Sequence, residues 1–149
     1  MKLFPPIASL SLTLSLLTVS CAPSTVYQCE QIMALANKMS EEGKKNSKTK
    51  DEKKVLGVAD TFDAVALEME QLEIKDEQLQ EYRSGFVQFY RDHAQATRTF
   101  VTAFREKDAE TAKSMIAELQ EIGSREGELV MGINSYCMGF TQRHRGAER

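Results

Sequence analysis

From Ser24 to Arg149 the chain contains no proline, and its apolar residues recur three and four positions apart. Proline is the strongest helix breaker, and strict alternation is the mark of a half-buried strand. With neither present, this stretch is restricted to helices. Thr25 with Gln28 has the form of a capping box, and Cys29, Ile32, Met33, Ala36 and Met39 behind it make one apolar face. The polar run 43–48 breaks the pattern and reads as a turn. Thr49 with Glu52 forms a second capping box, followed at near-heptad spacing by Val55, Val58, Phe62, Val65, Met69 and Leu72. Asp76 is an N-cap for a third helix whose face carries Leu79, Tyr82, Phe86, Phe89, Tyr90, His93, Thr97, Phe100, Val101 and Phe104. A fourth helix begins near Asp108 and presents Met115, Leu119, Ile122, Leu129, Ile133 and Cys137, with Gly139 as its C-terminal stop.

Helices joined by short turns pack as antiparallel sequential neighbours. The expected fold is all-α, an up-down-up-down four-helix bundle over residues 21–140, with helices 3 and 4 longer than 1 and 2. Residues 141–149 read as a frayed basic tail.

Ahead of the bundle, a lone Lys2 precedes an uncharged stretch that ends Leu16-Leu17-Thr18-Val19-Ser20-Cys21. Its apolar core is too short to cross a hydrocarbon layer, which takes about 20 helical residues. This ending resembles a bacterial lipoprotein signal, in which the segment is cut before the cysteine. The resemblance implies that residues 1–20 are a signal peptide and that Cys21 carries lipid, palmitate among its acyl chains. It also implies attachment to the cell membrane or outer membrane on the extracytoplasmic side. An ordinary secretory signal is the alternative. Without Lys2 the chain has 18 basic against 22 acidic residues, a balance that gives no support for nucleic-acid binding.

With Cys21 lipidated, Cys29 and Cys137 remain as an even pair in an oxidising compartment. They lie near the two ends of the folded region. An up-down-up-down bundle places the start of helix 1 beside the end of helix 4. Periodicity and cysteine arithmetic, neither derived from the other, therefore point to one disulfide.

Counting outward from the turn near Lys107 sets Tyr90, Phe86 and Tyr82 opposite Gly123, Gly127 and Gly132, rings against missing side chains. The unequal helix lengths predict that a hairpin tip, from about Thr99 to Met115, projects past helices 1 and 2, with helix 2 starting level with Arg98. Phe100, Val101, Phe104, Met115 and Ile116 on that tip form a candidate partner-binding surface. In the alternative arrangement residues 43–50 fold over it.

Chemistry is harder to find. His93 with a methionine has the elements of a haem site, yet no Cys-x-x-Cys-His attachment motif is present. Met131 and Met138, one heptad apart, suit copper(I) only with a third soft donor. The Glu-x-x-His pairs of di-metal bundles are missing, and no nucleophile stands beside a base. No cofactor or metal is expected, with His93, Met131 and Met138 the residues to examine if one binds. The reading is a membrane-tethered, extracytoplasmic, non-enzymatic accessory or docking protein with another protein as partner. The alternative is a carrier of a small ligand, metal or haem in the bundle core. In architecture alone the chain resembles small lipidated four-helix lumenal subunits of photosynthetic bacteria, and no motif carries residues over.

Overall fold

The computed structural model describes residues 24–46 and 48–147; the signal segment 1–20, Cys21 and the last two residues of the tail lie outside them. Four helices follow in order: α1 (Thr25–Asn46), α2 (Glu52–Glu70), α3 (Glu77–Glu106) and α4 (Ala109–Ala147). No strand occurs among the described residues. Each helix packs on its chain neighbours and α1 closes against α4, as an antiparallel up-down-up-down bundle requires. With 30 residues in α3 and 39 in α4, against 22 in α1 and 19 in α2, the last hairpin is the long one.

The core is the sum of the predicted faces. Ile32, Met39, Val65, Met69, Leu79, Phe86, Tyr90, Ile122 and Ile133 are all fully buried. Rings dominate its centre: Tyr90 lies 5.7 Å from Phe62, 6.0 Å from Phe86 and 5.1 Å from Phe89, centroid to centroid. Salt bridges along the surface mark the α2–α3 register, pairing Glu52 with Arg105, Asp60 and Asp63 with Arg98, and Glu70 with Arg91. Helix 2 therefore starts level with Arg105, not Arg98.

The helix ends differ from the sequence expectation in four places. Ser24, not Thr25, caps α1, its hydroxyl accepting from the Tyr27 N–H at 3.2 Å. Asp51, not Thr49, caps α2 by accepting from the Lys53 N–H at 2.9 Å. A carboxylate at a helix N-terminus also meets the positive end of the dipole, which a hydroxyl does not. Gly43 lies inside α1, which runs on to Asn46; the Glu42–Lys45 pair and the Asn46 side chain bonded to the Glu42 carbonyl close that last turn. Gly139 likewise lies within α4, which continues through Ala147. A helical glycine costs only about 1 kcal/mol, too little to end a helix by itself. Between α3 and α4 two residues reverse the chain. Lys107 adopts the left-handed conformation, φ 59°, and Asp108 caps α4 by accepting from the Thr111 N–H at 3.0 Å.

Candidate functional site

The two ends of the bundle are built differently. At one end Cys29 and Cys137 are joined, their Cα atoms 6.0 Å apart, and both are buried. Beside them Gln28 does not close a capping box. Its side chain is buried and crosses to the α2–α3 connection, where its carbonyl oxygen accepts from the Lys75 N–H at 2.6 Å and the Asp76 N–H at 3.1 Å. Asp76 in turn caps α3 through the Leu79 N–H at 3.0 Å and accepts from the Tyr136 hydroxyl at 2.9 Å. One carboxylate thus binds α3 and α4, and one amide binds α1 to the same connection. The bonds to the Asp76 carboxylate are charge-assisted and so roughly twice as strong as neutral ones such as those to Gln28. Gln28 was legible in principle, since it lies four residues before Ile32 on the apolar face of α1.

The opposite end is looser. The expected overhang exists on one side only. α2 and residues 49–50 run beside the tip, and Thr49, Lys50, Val55, Phe100, Val101 and Phe104 share one groove. Val101 is buried and Phe100 half-buried. Met115 packs partly against the core. Of the five residues proposed for the tip, only Phe104 and Ile116 are exposed, at 70% and 47%.

Two further hollows flank α1. The first lies between α1 and α4, lined by Met33, Ala36, Asn37 and Ser40 on one side and by Gly123, Glu126, Gly127 and Val130 on the other. This corrects the expected packing of rings against Gly123 and Gly127. A β-carbon at either would meet nothing within 4 Å, because both border the groove. Only the third pair holds: a β-carbon on Gly132 would stand 2.8 Å from Tyr82 Cε1. The same register brings Gly85, not singled out from sequence, against Leu129, 2.6 Å from its Cδ2. Glu126 falls on the apolar face of α4, four residues after Ile122, and burial pushes its carboxyl above the usual range.

The second hollow is a cleft of about 340 Å³ between the end of α1 and the α2–α3 pair. Val55, Val58, Phe62, Phe100 and Leu119 make it apolar, and His93 and Thr97 are its polar lining on α3. His93 stacks on Phe62 at 4.2 Å, and its Nδ1 pairs with the Thr97 hydroxyl at 3.3 Å. Burial lowers its basicity, so the neutral imidazole prevails at pH 7.

The structure does not bring His93 together with Met131 or Met138. Met131 lies twelve positions beyond Leu119 on α4, about 18 Å along the axis, and is exposed beside the α1–α4 groove. Met138 is also exposed. Among the described residues no group of three or more His, Cys, Asp or Glu side chains is placed to hold a metal ion. No described helix is long and apolar enough to cross a membrane. Comparison with known protein families, with curated proteins and with solved structures finds no match to this chain.

Proposed function

We propose that this chain is a lipid-tethered, extracytoplasmic accessory protein that docks another protein and catalyses no reaction. Lipid on Cys21 would enter only three residues before Ser24, at the end where the disulfide and the Asp76 network hold all four helices. That end would face the membrane. The 30 residues of α3 then carry the opposite end about 45 Å outward.

The observation that carries the reading is Phe104, a large apolar side chain left 70% exposed at that far end. It borders a groove that already contains Phe100, Val101 and Val55. Aromatic anchors beside partly filled apolar grooves are what protein interfaces use as hot spots. The fitting partner is an apolar helix. α1 ends at Asn46, while the first turns of α4 extend beyond it, so the fourth position of the bundle is open at the tip.

The test is purification of the native protein from membranes in mild detergent, with co-purifying proteins identified by mass. A stoichiometric partner is expected, lost with Phe104→Glu and with Cys21→Ser. A clean monomer from membranes, or a partner indifferent to Phe104, would refute the docking reading.

A further inference from the structure

We infer that the cleft at His93 is a binding site for an elongated apolar molecule ending in a single hydroxyl group. Three features of the cleft lead there, and none depends on the docking reading.

The first is shape. The His93 cleft and the groove at the tip share Thr49, Val55 and Phe100. They therefore adjoin along α2 and α3, and a chain reaching from Phe104 inward to His93 would occupy both as one trough. Eleven residues of helix span about 16 Å, the reach of a medium-chain alkyl group. The second is lining. Val55, Val58, Phe62, Phe100 and Leu119 offer no hydrogen bond from their side chains. The Asn46 amide that also borders the cleft is bonded to the Glu42 carbonyl, so with Thr49 at the shared rim the body of the cleft suits an apolar chain.

The third is the inner end. His93 Nδ1 is taken up by Thr97, and Nε2 has no partner among the described side chains. Assigning the proton to Nδ1, where it can bond to the Thr97 hydroxyl, makes Nε2 an acceptor. It calls for a donor on the ligand. No lysine or arginine lines the cleft at that end, so a carboxylate would be buried without a counter-charge. A hydroxyl meets both requirements. The lining at the outer end includes Lys50 and Glu52, which keep that mouth in water.

The experiment uses the mature chain with its disulfide intact, titrated with decan-1-ol and, separately, with decyl methyl ether. Binding is followed by calorimetry and by the ring resonances of His93 in nitrogen-15 NMR. The alcohol should bind at least about ten-fold more tightly than the ether and should move the Nε2 resonance. His93→Leu should erase the preference and keep apolar affinity. Val58→Phe should fill the cleft and abolish binding of both, in a protein whose circular dichroism is unchanged. Equal affinity for alcohol and ether, binding that leaves the His93 resonances still, or no binding to the unmodified chain would each overturn the assignment. The first and last of these need no variant to fold.

Discussion

Tyr90 and Tyr136 both carry a phenol inward, yet removing the oxygen from each should move stability in opposite directions. Tyr90 is fully buried, and its hydroxyl has no hydrogen-bond partner. Burial, with the negative charge of Glu126 nearby, raises its pKa further. An unpaired buried hydroxyl costs about 1–3 kcal/mol. Tyr90→Phe removes that cost and keeps the ring, and with it the contacts to Phe62, Phe86 and Phe89. Tyr136 instead donates to Asp76 at 2.9 Å. A hydrogen bond to a charged group contributes about 1.5–3 kcal/mol, and the half-buried position of Tyr136 places it at the lower end.

Tyr90→Phe should therefore stabilise by about 1 kcal/mol and Tyr136→Phe destabilise by about 1.5 kcal/mol. For a chain of this length that is a melting shift of about 3–5 °C upward and about 5–7 °C downward. Urea unfolding of the oxidised proteins measures both, and equal m-values would show that the compactness of the end states is unaltered. A loss of stability in Tyr90→Phe would mean that the hydroxyl finds a partner in solution. The sign argument would then fail.

The disulfide closes a separation of 108 residues, for which chain entropy gives about 4.8 kcal/mol. Cys29→Ala with Cys137→Ala should lower stability by that order in urea, and a loss below about 2 kcal/mol would show that the reduced unfolded chain is already compact. Lys107 holds a left-handed conformation that glycine adopts without penalty. Lys107→Gly should raise stability by about 0.5–1 kcal/mol, and a lower thermal midpoint would refute this. Glu126 has a folded-state pKa raised by burial. Its contribution is present below the unfolded pKa and lost as pH rises through the folded one. Glu126→Gln should then stabilise at pH 7 and change little at pH 4; equal effects at both would contradict the burial argument.

The fold was legible because a stretch free of proline from Ser24 onward, with sustained three-four spacing, has few ways to bury its faces. The α3–α4 register was legible for a local reason. A two-residue turn at Lys107 and Asp108 fixes which residues face one another, and Tyr82 duly meets Gly132. Gly123 and Gly127 were misjudged because α1 borders them, and no short turn ties α1 to α4. Helix ends were misread where two capping residues compete, Ser24 with Thr25 and Asp51 with Thr49. The tip was legible at Phe104 but not at Val101, whose burial depends on α2 starting level with Arg105. The His93 cleft could not be seen at all. A hollow is a shortage of side-chain volume among four elements, and periodicity reports only which face each one turns inward.

The proposed docking surface and the proposed ligand site share Phe100, and this makes them physically linked. Phe100 borders both the cleft at His93 and the groove at Phe104, and its ring lies 6.3 Å from that of Phe104 in a stacked arrangement. An alkyl chain in the trough fills the space beside Phe100 and leaves less for a partner's side chain entering at Phe104. The two occupants should compete. Linkage requires the effect to be reciprocal, so the factor by which decan-1-ol weakens the partner equals the factor by which the partner weakens the alcohol. The covalent and charge-assisted bonds at the disulfide end lie too far along the helices to hold Phe100 in either state. Phe100→Ala should therefore break the link while leaving both ends folded. Partner affinity measured with and without saturating alcohol gives the coupling directly, and an unchanged affinity would show that the trough is two separate hollows.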